Sequence, residues 1–161
     1  MNQQKQSILY LEIIWWIITA IVVYFVMNPI WSAVEGFEYQ WINVFFIVIL
    51  ITYARHIFLL KYTFLAFTST RFRIGMIFLS LPLVFFIIQM FFDFQTYLDN
   101  GGNGELFNNL KISMTQIEQG NLLQYIHTEM SFFGIGAAIT GLLLPLRMML
   151  SIWREKNEES I

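Results

Sequence analysis

The amino-acid sequence predicts an all-α membrane protein: an up-down bundle of four transmembrane helices, with a short amphipathic extracytoplasmic helix between helices three and four. The first observation is composition, since 57% of the 161 residues are hydrophobic and only 12% are charged. An average soluble domain carries about 25% charged residues. The second observation is that the apolar residues form runs long enough to cross a bilayer core of about 30 Å. The third is that basic residues gather on one side of those runs. The chain is interpreted as a single integral membrane domain over residues 1–161.

The first predicted span covers residues 8–27, which are apolar apart from Glu12, Thr19 and two tyrosines. A cleaved signal peptide is the alternative interpretation, and it fits poorly. The apolar stretch is too long, it contains or abuts Glu12, and no small-residue cleavage site follows. Asn28 and Pro29 are predicted to end the helix, because proline lacks an amide hydrogen and restricts the preceding residue.

The second and third predicted spans cover residues 41–60 and 74–92. We expect the second helix to continue out of the membrane over residues 61–67 and the chain to turn at 68–70, although the sequence leaves open where this helix stops. Pro82 lies inside the third span, where it is predicted to kink the helix and free one carbonyl.

A polar segment, residues 93–124, separates the third span from the fourth. Its glycine- and asparagine-rich stretch, 99–104, predicts a turn or a flexible loop. Apolar residues at helical spacing then predict an amphipathic helix over 105–119, ended by the Gly-Asn pair at 120–121. The apolar face of this helix would lie on the membrane surface or on the top of the bundle. The last predicted span covers residues 128–152.

The basic residues predict the orientation of the chain. On the side that bears the extracytoplasmic helix, Lys111 is the one base. The loops and termini of the opposite side carry Lys5, Lys61, Arg71, Arg73, Arg154 and Lys156. Cytoplasmic loops are enriched in Lys and Arg. The sequence therefore predicts a multi-pass protein of the plasma (inner) membrane with both termini in the cytoplasm.

Four ionisable residues form the candidate ligand-binding cluster: Glu12, Arg55, His56 and Arg147. They lie at a similar depth, near the cytoplasmic ends of three different helices. A charge in the membrane costs about 2.5–3.5 kcal/mol on insertion scales, so such residues usually face the bundle and pair. We predict that Glu12 pairs with Arg55, with Arg147 as a possible further partner. Two arginines and a histidine against one glutamate leave positive charge for an anion or a lipid headgroup.

Two structural interpretations of the same cluster stay open. The arginines could reach the inner headgroups through their long stems, or a Glu–Arg pair could only fix helix register. Helical spacing also places Trp15, Trp16 and Thr19 on the face of Glu12. By the same spacing, Thr52 shares a face with Arg55 and His56.

Small residues mark a helix-packing face on the last span, formed by Gly134, Ala137, Ala138 and Gly141. Their small-xxx-small spacing lets another helix approach closely. The sequence does not say whether that helix belongs to this chain, to a second copy or to a protein partner. We take this face as modest support for assembly through helix four.

Several classes of function find no support in the sequence. Its net charge of −2 offers no field for nucleic acid, and it has no cysteine, which excludes thiolate ligands and nucleophiles. His56 and His127 fall on opposite sides of the predicted membrane, so they are not axial ligands of one haem. His127 is interpreted as a neighbour of Glu129 at the mouth of helix four, with Thr128 as a helix cap. No cofactor or metal is predicted.

No catalytic motif is visible, which favours a non-enzymatic protein. The leading hypothesis is an accessory or assembly subunit of a larger membrane complex, in contact with membrane lipid and a protein partner or second copy. The alternative is a binder or transporter of a small anion or lipid headgroup at the charged cluster. The sequence identifies neither the ligand nor the partner.

Overall fold

The computed structural model describes residues 3–60, 63 and 68–158. Within these residues the chain is almost entirely helical and has no β-strand. The helices are α1 (Gln3–Ala33), α2 (Gln40–Phe58), α3 (Thr70–Tyr97), α4 (Asn103–Asn108) and α5 (Gln116–Glu158), with a π-helical turn over Leu98–Gly102. All of them except α4 are long and apolar enough to cross a membrane. The predicted all-α class, with four helices long and apolar enough to cross a membrane, is therefore confirmed.

The first helix runs past the proline that was predicted to end it. α1 continues through Pro29 to Ala33, because Ile30 and Ala33 are buried against the rest of the chain and hold this last turn in place. The carbonyl of Val26, one turn before the proline, accepts a hydrogen bond of 2.8 Å from the hydroxyl of Tyr125. The prediction failed because tertiary packing outweighed the local cost of proline.

The second helix ends two residues before the end of its predicted span. α2 stops at Phe58, and the amide of the C-cap residue Leu59 donates to the carbonyl of Arg55 at 2.8 Å. Of the predicted continuation over 61–67, only Thr63 is described, in a non-helical bend. Residues 61, 62 and 64–67 lie outside the described part of the chain.

The predicted amphipathic helix over 105–119 is replaced by two helices with a non-helical segment between them. α4 ends at Asn108, and Leu110 then forms an isolated antiparallel bridge with Val34. The amide of Lys111 donates to a carbonyl at the end of α1 at 2.9 Å. Backbone pairing with the loop after α1 therefore interrupts the helix that the apolar spacing predicted.

α5 begins near the end of that predicted helix, at Gln116, and passes through the residues that were predicted to end it. Thr115 and Glu118 form a capping box: the amide of Thr115 donates to the Glu118 carboxylate at 2.8 Å, and the Thr115 hydroxyl accepts from the amide of Glu118 at 3.4 Å. This pair satisfies free amides at the helix start. The helix then runs for 43 residues, through Gly120 and Asn121.

The core lies where α5 packs against α2 and α3. α1 contacts mainly α2 and leaves most side chains of its first half exposed. At one end of the molecule, the loop after α1 pairs with the segment after α4. At the other end, Arg73 at the start of α3 contacts Glu155 near the end of α5 at 2.5 Å. The first half of α1 is therefore the most loosely packed part of the long helices.

Tyr39 lies in the loop before α2 and contacts α3. Its hydroxyl donates to the carbonyl of Asp93 at 3.3 Å, and its ring packs against Phe94. Partial burial, followed by the charges of Glu38 and Asp93, raises the pKa of Tyr39 above its ordinary value. The phenol therefore stays protonated and remains a donor to the backbone at neutral pH.

Candidate functional site

The charged cluster is centred on an ion pair between α1 and α2. Glu12 Oε1 contacts Arg55 Nη2, as the sequence predicted. Arg55 is only 7% exposed, and its Nε is a buried donor without a hydrogen-bond partner. A buried polar group usually has a partner. The ion pair therefore accounts for only part of what this guanidinium can bind.

His56 lies one residue further along α2, and its orientation is fixed by the backbone. Its Nδ1 lies 2.6 Å from the carbonyl oxygen of Thr52, one turn earlier. A carbonyl oxygen only accepts hydrogen bonds, so Nδ1 carries a hydrogen and donates. The other ring nitrogen, Nε2, is then the one available to a ligand, and in the neutral ring it is an acceptor.

Arg147 does not join the cluster in the way the sequence suggested. Its Nε donates to the carbonyl of Ile57 at 3.1 Å, which is one of the last carbonyls of α2. Such carbonyls lack helical partners, and a basic side chain near a helix C-terminus satisfies them and favours the helix dipole. The structure therefore brings Glu12, Arg55 and His56 together and places Arg147 as a cap on the end of α2.

Two cavities adjoin the ion pair and share the walls formed by Glu12, Thr52 and His56. The larger has a volume of about 320 Å³ and the smaller about 40 Å³. The larger cavity is lined by Glu12, Thr52, Tyr53, His56, Phe72, Met76 and Leu144. The smaller is lined by Glu12, Trp15, Trp16, Thr19, Ile51, Thr52, Arg55 and His56. The second list contains all the face neighbours that helical spacing predicted for Glu12 and for Arg55.

The larger cavity combines a few polar residues with a mainly apolar lining. Glu12, Thr52 and His56 form the wall that it shares with the smaller cavity, while Phe72 and Met76 of α3 belong to its apolar lining. Ligand pockets in proteins combine a mainly apolar lining with a few polar groups that fix orientation. The described residues contain no group of three or more His, Asp or Glu side chains placed to hold a metal ion. This arrangement suits a molecule with a polar head and an apolar body.

A second buried polar pair was not predicted. Asn43 of α2 donates through Nδ2 to Glu129 Oε1 of α5. Asn43 is fully buried and Glu129 is 7% exposed, so Glu129 lies in the core and not beside His127 at a helix mouth. The interpretation of Thr128 as a helix cap is also wrong, because α5 begins twelve residues earlier, at Gln116. A signal was present in the sequence: Glu129 follows Leu122 and Ile126 at core spacing.

The small-residue face of α5 is filled by helices of the same chain. An alanine Cβ at Gly134 would lie 3.0 Å from the rings of Phe46 and Phe91, and one at Gly141 would lie 2.6 Å from Val84 Cγ2. Ala137, between them, is fully buried, and Ala138 packs against the same core. This face therefore serves the contact of α5 with α2 and α3.

No protein-family model, curated protein or solved structure matches the chain. The features on which a function can rest are therefore the chain's own: an ion pair, a histidine with a fixed tautomer and two adjoining cavities. These three features meet at one place, beside the first half of α1.

Proposed function

We propose that this protein binds a single-chain amphiphile, with the polar head against Glu12, Thr52 and His56 and the apolar body along α3. The observation that carries the proposal is that Glu12, Thr52 and His56 line the larger cavity together with mainly apolar residues of other helices. Its volume of about 320 Å³ is at the lower end of the range for ligand pockets, about 300–1,000 Å³. One slender chain suits that volume better than a two-chain lipid.

This proposal narrows the hypothesis of an anion or lipid-headgroup binder. That hypothesis rested on an excess of positive charge, since two arginines and a histidine faced one glutamate. Arg147 is engaged with the carbonyl of Ile57, and Arg55 is paired with Glu12. The surplus of positive charge that an anion would need is therefore much smaller than the sequence suggested, while the hydrogen-bonding groups of the polar wall remain.

Photolabelling tests binding directly. Purified protein in lipid nanodiscs would be irradiated with twelve-carbon probes that carry a diazirine in mid-chain and a hydroxyl, methyl ether or phosphate head. We expect saturable labelling of Phe72, Met76 or Leu144, mapped by mass spectrometry, with at least one probe. Met76→Trp should abolish it by filling the cavity. Met149→Trp is the matched control, because Met149 is 49% exposed on α5. Unsaturable labelling by every probe, unchanged in Met76→Trp, contradicts the proposal.

We further propose that α1, α2, α3 and α5 cross the plasma membrane as an up-down bundle with both termini in the cytoplasm. The pairing of the loop after α1 with the segment after α4 supports a common end for these loops. The contact between Arg73 and Glu155 supports a common opposite end for the start of α3 and the end of α5. The distribution of Lys and Arg gives the direction.

Single-cysteine labelling tests this orientation cleanly, because the chain contains no cysteine. Ser113→Cys lies in the segment before α5 and Ser7→Cys near the start of α1, and both positions are exposed. A membrane-impermeable maleimide should label Ser113→Cys in intact cells and Ser7→Cys only after permeabilisation. The reverse pattern would show that the termini are outside.

The role of an accessory or assembly subunit is our second candidate, and exposed aromatic side chains on α1 favour it. Tyr24 and Phe25 of α1 are both more than half exposed, whereas the small-residue face of α5 is already occupied. We therefore expect a partner or second copy to bind this part of α1 and not the small-residue face of α5. Native mass spectrometry in mild detergent should show a larger assembly that Phe25→Ala weakens and the matched control Phe85→Ala on α3 preserves. A stable lone monomer would count against this role.

A further inference from the structure

We infer that the head group recognised at this site is a hydroxyl, so that the ligand is a long-chain alcohol or phenol. The inference rests on the proposed amphiphile site and specifies its chemistry. It follows from counting the hydrogen-bond donors and acceptors around the smaller cavity. That cavity adjoins the larger one through the shared walls of Glu12, Thr52 and His56.

The donor is the guanidinium of Arg55. A guanidinium carries five N–H groups; Nη2 of Arg55 is paired with Glu12, and Nε is buried without a hydrogen-bond partner. Arg55 is 7% exposed, and it lines the smaller cavity. An oxygen placed in that cavity can therefore accept a hydrogen bond from this side chain.

The acceptor is Nε2 of His56. Because Nδ1 donates to the carbonyl of Thr52, the neutral ring offers its second nitrogen as an acceptor. His56 lines both cavities. A ligand atom at the boundary between them would therefore need a hydrogen to donate to this ring. An ether or ester oxygen has none.

A hydroxyl meets both requirements with a single oxygen, since it donates one hydrogen bond and accepts others. A carboxylate or phosphate would satisfy Arg55 but would also face the carboxylate of Glu12, which lines both cavities. Like charges repel each other more strongly in a partly buried site than in bulk water. The neutral hydroxyl avoids that repulsion while keeping both hydrogen bonds.

The volumes agree with this assignment. The smaller cavity, about 40 Å³, exceeds the roughly 10–15 Å³ that one water-sized group needs on the same kind of measure. It can take a hydroxyl and its carbon, but not a bulky head group. The apolar body then occupies the larger cavity along Tyr53, Phe72, Met76 and Leu144.

The three photoprobes test this ranking of head groups. In the wild-type protein, dodecan-1-ol should compete with the photoprobes for labelling of the larger cavity about tenfold better than its methyl ether. A tenfold difference corresponds to the loss of one hydrogen bond near the upper end of its usual contribution. Dodecyl phosphate should be weaker than the alcohol. His56→Phe should reduce the preference for alcohol over ether to about one. His127→Phe is the matched control, because His127 is exposed and lies near the start of α5, whereas the cavity residue Leu144 lies in the second half of that helix.

The outcomes separate the two proposals. Saturable labelling in which the ether or the phosphate competes as well as the alcohol overturns the hydroxyl assignment and leaves amphiphile binding intact. Absence of saturable labelling by any probe overturns amphiphile binding itself. If His56→Phe fails to fold, as judged by gel filtration and circular dichroism, the ranking of the three heads on the wild-type protein decides the question alone.

Discussion

The protein contains two interhelical polar pairs that differ in their surroundings. Asn43 and Glu129 join α2 to α5 inside the core, where Ile126 and Met130 are fully buried. Glu12 and Arg55 join α1 to α2 beside two cavities, and the Glu12 side chain is 20% exposed. Both pairs include a buried atom without a hydrogen-bond partner. They differ in chemistry, since one is an ion pair and the other an amide-to-carboxylate hydrogen bond, and in whether a cavity adjoins them.

A polar pair in an apolar helix becomes a candidate site when free volume adjoins it. In the core pair, the neighbours are packed side chains, so the pair can fix the register of α2 against α5. In the pair next to the cavities, a ligand can reach the polar groups. We therefore expect substitutions at the core pair to change stability, and substitutions at the cavity pair to change binding.

The largest effect is expected from Glu129→Leu. This change leaves the amide of Asn43 buried without its partner, a situation that costs about 1–3 kcal/mol. Interhelical hydrogen bonds in membrane proteins average about 0.6 kcal/mol, so most of the loss would come from the unpaired amide. The free energy of unfolding, measured by SDS titration with circular dichroism, should fall by about 2–3 kcal/mol.

The control for this prediction is the double variant Asn43→Leu with Glu129→Leu. Replacing both partners by apolar groups can be nearly neutral, so the double variant should recover most of the lost stability. If Glu129→Leu alone is as stable as the wild-type protein, the core pair does not stabilise the fold. The different roles assigned to the two pairs would then be wrong.

The next effect in size tests the close packing of α5 against α3. Gly141→Ala would place a Cβ 2.6 Å from Val84 Cγ2, whereas no atom lies within 4 Å of a Cβ at Gly75. Overpacking a close contact costs about 1–3 kcal/mol, so Gly141→Ala should lower the free energy of unfolding by about 1–2 kcal/mol. Gly75→Ala should leave it unchanged or raise it by up to about 1 kcal/mol, since alanine is the better helix former. Equal effects would show that α5 does not need this close approach.

Glu12→Gln should affect stability less than either core change. The glutamine oxygen can still accept from Arg55, and the site is partly open, so the expected loss is under about 1 kcal/mol. Saturable photolabelling by the alcohol probe should nevertheless change by more than threefold, because Glu12 lines both cavities. A large loss of stability with unchanged labelling would reverse the roles assigned to the two pairs.

Much of the fold could be read from the sequence because it depends on composition and helical spacing. The four long apolar runs, the ion pair of Glu12 with Arg55 and the face neighbours of both residues all follow from period and hydropathy. The capping box at Thr115 and Glu118 was also readable, since its spacing is a known helix start. It was missed because the apolar spacing over 105–119 suggested one continuous helix.

The remaining differences depend on contacts between distant segments. Nothing near Leu110 indicates that it will pair with Val34, and nothing near Arg147 indicates that it will cap α2 at Ile57. The core position of Glu129 required knowing that α5 extends back to Gln116. The larger cavity is lined by residues of α1, α2, α3 and α5, so no single helix encodes it.

The smallest effect is expected at a third polar contact, between Arg73 of α3 and Glu155 of α5. Arg73 is buried, but Glu155 is 43% exposed. Neither residue lines the larger or the smaller cavity. Exposed partners keep much of their hydration, so Glu155→Gln should lower the free energy of unfolding by about 0.5 kcal/mol or less, measured by the same SDS titration. It should not alter photolabelling of the cavity. If the free energy of unfolding fell as much as in Glu129→Leu, burial of one partner would be enough for a polar pair to stabilise the fold. The surroundings of a pair would then not decide its role.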